Sequence, residues 1–258
     1  MLIIIIAAAI SSGFIFDFKK DICAIGRDRL MFPCWKYPFG TDHMGRSILA
    51  RVMYGARYSM LIGIVVVGIS TVVGTFLGAI AGYYGGKVET IIMRFVEIFL
   101  MIPSVLMAII FVAAFGISLT NLMIALGLAT VPHFARNARA SVMTVCGNEY
   151  VEAARAIGVS NFKIIFKHVL PNALSSILVQ ASTRVASAIT QAAMFSFLGL
   201  GVPSPLPEWG AMLSDARPFM REYPYMILFP GLAIMITVLA INLVGDGVRD
   251  ALDPKLKR

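Results

Sequence analysis

The sequence predicts an all-α, polytopic membrane protein with six transmembrane helices, and three features predict it. Hydrophobic residues make up 59% of the 258, well above the roughly 45–50% apolar usage of soluble domains. The mean hydropathy is +0.83, so the excess apolar surface must meet something other than water. Charged residues are only 14%. They cluster between long apolar runs that approach the ~20 residues a spanning helix needs.

The elements follow in order. The amino-terminal MLIIIIAAAISSGFIF lacks the basic region and small-residue cleavage site of a signal peptide and reads as a retained first helix, residues 1–16. Residues 17–56 form a polar loop with Pro33, Pro38, Gly40 and charges of both signs. A core of five helices follows over residues 57–246. The second helix runs from about Tyr58 to Ala81 and carries Gly74, Gly78 and Gly82 at intervals of four, the small-residue pattern that lets membrane helices approach closely. GYYGGKVE, Gly82 to Glu89, reads as a tight turn by its glycines. The third helix, about Ile91 to Phe115, is expected to break near Pro103, and the fourth, about Leu119 to Phe134, to kink near Pro132. A fifth span covers about Ala173 to Leu198. Residues 199–224 form a second polar loop, and the sixth span, about Tyr225 to Val244, leads into a charged tail, residues 247–258.

The formal charge of +8 would suit nucleic acid, but the basic residues form neither a stripe nor a recognition motif. They fit orientation and contact with anionic lipid headgroups instead. Lys and Arg in residues 17–51 leave the orientation open on charge alone. Cys23, Cys34 and Cys146 match no zinc spacing; Cys23 and Cys34 share one loop and could bridge or stay as thiols. No phosphate loop, H-E-x-x-H, G-x-S-x-G or C-x-x-C is present, and His43, His133 and His168 lie in separate segments. The chain therefore reads as a non-enzyme, without cofactor or metal of its own. Ion-coupled transport would require ionisable groups at mid-membrane, for which Glu97 and Arg184 are the candidates. The spans are otherwise poor in charge, which favours an external motor.

Residues 148–172, NEYVEAARAIGVSNFKIIFKHVLPN, differ in kind. Ala153, Ala154 and Ala156 favour helix, Gly158 interrupts it, and Phe162, Ile165, Phe166 and Val169 recur at helical spacing. The segment reads as a short helix, a turn and an amphipathic helix outside the bilayer core, ended by Pro171. Glu149 and Glu152 suit the positive end of the first helix dipole. Physics alone leaves two readings, a docking element for a motor or an interfacial helix without a partner.

Glu152-Ala153-Ala154, three residues, Gly158, twelve residues, Pro171 resembles the cytoplasmic loop of permease subunits of binding-protein-dependent ABC importers. The resemblance implies the type I importer permease fold, with a cytoplasmic coupling helix centred on Glu152, Ala153, Ala154, Arg155 and Gly158 that docks on an ATPase. It also implies cytoplasmic termini, a multi-pass protein of the cell membrane, and residues 17–56 and 199–224 on the far side. FGTDHMGRSILARVMYGARYS, AGYYGGKVE, FLGLGVPSPLPEWG and NLVGDGVRDALDPKL are similar to the second permease of the dipeptide, oligopeptide and nickel importer group. These place Gly40, Thr41, Asp42, Gly45, Arg46, Gly199, Gly201, Trp209, Gly210, Asp246, Asp253 and Pro254 in family motifs. Ser47 departs from the acid that usually follows Gly-Arg.

By this resemblance the chain would work with a homologous second permease, two ATP-binding subunits that hold the ATP and Mg, and an extracytoplasmic solute-binding protein. The implied cargo is di- or oligopeptides, with a nickel chelate as the alternative and ion-coupled secondary transport as a further one. Trp209 is expected either to anchor the outer loop at the interface or to pack inside it. Asp42 and Arg46 either pair to brace the second helix or stay hydrated, the latter being favoured for exposed charges.

Overall fold

The computed structural model describes residues 1–252, and among them the secondary structure is helical. Asp253 and Pro254 lie outside the described residues. The elements are α1 (Leu2–Ile15), a π-helical turn (Phe18–Cys23), α2 (Ile48–Tyr84), α3 (Gly86–Met101), α4 (Ser104–Phe115), α5 (Leu119–Cys146), α6 (Glu149–Ala156) and α7 (Asn161–Lys163). A π-helical stretch (Ile164–Val169), α8 (Leu170–Phe197), α9 (Trp209–Ala216), a 3-10 turn (Arg217–Phe219) and α10 (Tyr225–Leu252) complete the chain.

By length and apolarity three helices can cross a membrane: Ile48–Tyr84, the continuous Asn161–Phe197, and Tyr225–Leu252. The pair α3 and α4, bent by 87° at the break before Ser104, makes a fourth if counted as one span. This break falls where Pro103 placed it. Six spans were expected. The other two helices are α1, whose 14 residues reach only about 21 Å, and α5, whose second half carries His133, Arg136, Asn137 and Arg139.

Contacts divide the chain into two compact units. One comprises Met1–Val65, Phe111–Met123 and Val185–Leu243; the other comprises Val66–Ile110, Ile124–Arg184 and, among the described residues, 244–252.

In the first unit, α2 starts ten residues before the apolar run suggests, because its polar first turns have specific partners. Buried Arg51 donates through Nη1 to the Ile22 carbonyl at 3.0 Å and the Pro205 carbonyl at 3.2 Å. Arg57 donates to the carbonyls of Ala9 and Ile10 at 2.6 and 2.9 Å, fixing α1. Gly13 leaves room for that guanidinium, since a Cβ there would meet Arg57 Nη1 at 2.6 Å. The segment before α2 is ordered by backbone bonds from Gly26 to Met44, Leu30 to Asp42 and Thr41 to Met31. Cys23 and Cys34 are free thiols. Trp209, Met212, Tyr225 and Met226 pack with Ile48 and Ala56 in one apolar cluster.

In the second unit the glycine pattern of α2 has a direct consequence. Cβ atoms at Gly74, Gly78 and Gly82 would collide with α5 at Phe134 and Ala135, at Ala135 and Ala138, and at Arg139 and Val142 respectively. Only hydrogen fits in this seam, as the close-approach reading anticipates. A second cluster joins Ala79 and Tyr83 of α2 to Ala138 and Val142 of α5, Val151 and Ala154 of α6, and Ile164, Ile165, Val169, Ala173 and Ile177.

One expectation is corrected here. Pro171 does not end an isolated amphipathic helix; Asn161–Phe197 runs through it as one helix of 37 residues. A proline inside a helix lacks the N–H for its i−4 carbonyl, here that of Lys167. Lys167 lies in the π-helical stretch, where the bonding register has already shifted. The Asn172 side-chain amide donates to the His168 carbonyl at 2.6 Å beside it.

Candidate functional site

The docking candidate is built on α6. Asn148 starts it in an extended conformation, and its backbone carbonyl accepts from Val151 at 3.0 Å. Glu149 and Glu152 lie in the first turn and Arg155 in the last, so each charge opposes the nearer end of the helix dipole. Val151 and Ala154 are buried, three residues apart on one face. Glu152, Ala153, Arg155 and Ala156 are exposed.

The helix ends at Gly158, whose φ of +81° costs a residue with a Cβ about 1–2 kcal/mol. Its N–H and that of Val159 bond back to the carbonyls of Arg155 and Ala154 at 3.0 and 3.1 Å. These close the last turn as left-handed terminal residues do. Nothing lies within 4 Å of a Cβ at Gly158, so the glycine is demanded by backbone and not by space. Beyond the turn, Ile157 and Phe162 are 79% and 69% exposed. The element thus presents a charged and apolar outer face on a base fixed by Val151 and Ala154.

Sequence reasoning missed what holds that base. The Tyr83 hydroxyl donates to Asn161 Oδ1 at 2.8 Å, and the Arg155 guanidinium lies 4.9 Å from the Tyr83 ring centroid. A single aromatic at the end of α2 therefore holds both sides of the turn around Gly158.

The other motif residues assemble in the first unit. Gly40 and Gly45 have positive φ, Gly40 just before and Gly45 within a turn closed by the Thr41–Ser47 bridge. The Thr41 hydroxyl accepts from Met31 N and donates to the Asp28 carbonyl. Asp42 Oδ1 accepts from the N–H groups of Met44 and Arg46, both at 2.9 Å, and Oδ2 accepts from Arg46 Nε at 2.6 Å. Arg51 Nε stands 3.8 Å from the same carboxylate, and Arg46 Nη2 is 3.6 Å from Asp215. Asp42 and Arg46 are thus buried and paired, not hydrated; with buried Arg51 of α2 and the partly exposed Asp215 of α9 they form a charge-balanced set of four.

Trp209 packs inside, 1% exposed, and its indole N–H donates to the Val52 carbonyl at 2.9 Å. Gly210 sits against the Ala193 backbone and Gly201 against Ser196, where a Cβ would collide, while Gly199 is exposed at the end of α8 with φ +80°. Glu208, a residue the motif reading passed over, caps α9 by accepting from the N–H groups of Gly210 and Ala211 at 2.9 and 2.8 Å. Burial pushes its carboxyl above the usual range, opposed by those hydrogen bonds and by Ser196 and Ser59. Outside this packed region, Lys36 and Tyr37 hold the Asp28 carboxyl below its ordinary value. Pro171 and Asp246 are exposed on α8 and α10. Among the described residues no three His, Cys, Asp or Glu side chains gather as a metal site.

The chain is similar to known proteins. The chain is 48% identical over 230 residues to the dipeptide transport system permease protein DppC of Alkalihalophilus pseudofirmus, covering 89% of this chain and 76% of that protein. It is 45% identical over 218 residues to the glutathione transport system permease protein GsiD of Pectobacterium atrosepticum, covering 84% and 72%. In fold it is similar to a chain of the MetNI methionine ABC transporter in an inward-facing conformation, with TM-score 0.66 and 19% identity over 79% of this chain and 96% of that one. Residues 74–258 match the family described as binding-protein-dependent transport system inner membrane component, and the chain belongs to that family.

Proposed function

We propose that this chain is a permease subunit of an ATP-driven importer of di- or oligopeptides. With a homologous second permease it forms the translocation path, while two ATP-binding subunits hold ATP and Mg and an extracytoplasmic binding protein delivers the cargo. The chain itself binds no cofactor and carries out no hydrolysis. The similarity to permeases named for dipeptides and glutathione supports peptide cargo over a nickel chelate.

The observation that carries the reading is the two-faced α6. Its inner face is anchored by Val151 and Ala154, and its outer face exposes Glu152, Ala153 and Ile157 to a partner. A push on that face reaches α2, α5 and α8 through one packed cluster. In this reading residues 148–172 and both termini are cytoplasmic, residues 17–56 and 199–224 are outside, and α1 and α5 complete six crossings. ATP-driven closure of the ATPase pair moves α6, the cavity opens outward to receive peptide, and hydrolysis resets it inward.

The test is a mild-detergent pull-down from native membrane with mass spectrometry, followed by reconstitution of the recovered complex. Recovery of a second permease, ATPase and binding protein is expected, with peptide-stimulated ATP hydrolysis that Gly158→Val lowers while the subunit still reaches the membrane. Recovery of this chain alone, from preparations that preserve other such complexes, would overturn the reading.

A further inference from the structure

In the second unit, α3 and α5 border an open cavity of ≈ 400 Å³ lined by Gly86, Glu89, Thr90, Met93, Arg94, Glu97, Arg136 and Arg139. That volume lies within the range of small-molecule sites, about 300–1,000 Å³. The lining is unusual for a membrane protein, since five of the eight residues are ionisable. The α3 residues fall on one helical face, at intervals of three and four, and the two α5 arginines are also three apart.

The charges do not cancel. Arg139 is committed to Glu89 through Nε and Nη2, and both side chains are partly buried. Arg94 pairs with Glu97 at 3.3 Å, and these two are largely exposed. Arg136, exposed on α5, makes no ion pair among the described residues. Two carboxylates against three guanidiniums leave one positive charge, located on Arg136. A guanidinium offers a planar fork that matches a carboxylate, and Glu97, in a pair too exposed to be held firmly, can exchange Arg94 for an ammonium.

We propose that this cavity is a transit site for zwitterionic peptide, in which Arg136 receives the main-chain carboxylate and Glu97 faces the amino end. The assignment rests on the peptide-import reading. Its physical purpose is to replace the water that a peptide terminus loses on its way through the chain toward the cytoplasmic end of α3. A fork of donors does so without closing around any side chain, so cargo of varied sequence can pass.

The test uses the whole complex in proteoliposomes, with the binding protein loaded to equal extent with trialanine or with trialanine amide. Import per ATP hydrolysed is compared for the unaltered complex, R136Q and R136K, at two fractions of anionic lipid. The expected result is that R136Q lowers trialanine import about tenfold, the loss of one charged hydrogen-bonded contact. Amide import should change far less, and R136K should recover part of the difference. Equal slowing of both peptides, no slowing of either, or a defect that follows the anionic lipid fraction would overturn the assignment while leaving peptide import standing. An unaltered complex that imports neither peptide would overturn both.

Discussion

The Tyr83 hydroxyl and the Asn161 side-chain carbonyl meet at 2.8 Å, joining residues 78 apart in the chain. Because Arg155 rests on the same ring, the end of α2 grips the segment on both sides of Gly158. Tyr83→Phe removes only the hydrogen bond, about 0.5–1.5 kcal/mol. Tyr83→Ala also opens a cavity, about 3–5 kcal/mol by analogy with other aromatic truncations. Binding-protein-stimulated ATP hydrolysis in the reconstituted complex should fall modestly in the first variant and several-fold in the second. Wild-type coupling in Tyr83→Ala would show that the aromatic is not part of the transmission.

The glycine seam makes a sharper structural prediction. A Cβ at Gly78 would lie 2.8 Å from both Ala138 Cβ and Arg139 N, an overpacking of about 1–3 kcal/mol. Gly68, on the same helix, has nothing within 4 Å of its Cβ position. Thermal unfolding of the detergent-purified protein should therefore begin at lower temperature for Gly78→Ala and not for Gly68→Ala. Equal behaviour of the two would contradict the close approach of α2 and α5.

Asp42 is the only carboxylate within ion-pair distance of Arg51 among the described residues, and it also bonds Arg46. Removing one partner of a buried pair typically costs about 3–5 kcal/mol. Asp42→Ala should sharply reduce the yield of folded subunit in membranes, measured by immunoblot after mild-detergent extraction. Asp42→Asn, which keeps an oxygen for the Met44 and Arg46 N–H groups, should reduce it less. A full yield from Asp42→Ala would mean that the charges are solvated in the membrane.

Glu208 gives a pH dependence of definite sign. Its folded-state pKa is raised by burial, so the folded protein holds the proton more tightly than the unfolded chain. The contribution to stability is then greatest in acid, declines as pH rises above the ordinary carboxyl value, and levels off once pH passes the folded value. Glu208→Gln should flatten that part of the stability profile, read as the unfolding temperature of the purified complex between pH 4 and 8. A profile identical to that of the unaltered protein would assign the slope to other groups.

What was legible in the sequence was local. The Glu152–Gly158 spacing marked a short helix ending in a left-handed turn, because a helix dipole and a left-handed residue act within one or two turns. Gly74, Gly78 and Gly82 announced a close contact because they share one helix face, although nothing in them named α5 as the partner. The long-range ties were not legible. Arg51, Arg46 and Asp215 look like ordinary surface charges until folding brings Asp42 and the Pro205 carbonyl to them, and Tyr83 looks like one of two tyrosines in a turn. The passage of the helix through Pro171 was hidden for a related reason. Propensity counts the missing N–H but not the shifted register of the residues before it.

The seam has a mechanical consequence. Glycines have no rotamers, so the contact between α2 and α5 offers no alternative side-chain packing into which it could yield under load. Stiffness is concentrated there, and compliance must reside elsewhere. The chain supplies two places for it in the same unit: the 87° elbow before Ser104 and the widened turns of Ile164–Val169. Bending of this unit is therefore expected at those two places and not along the glycine seam.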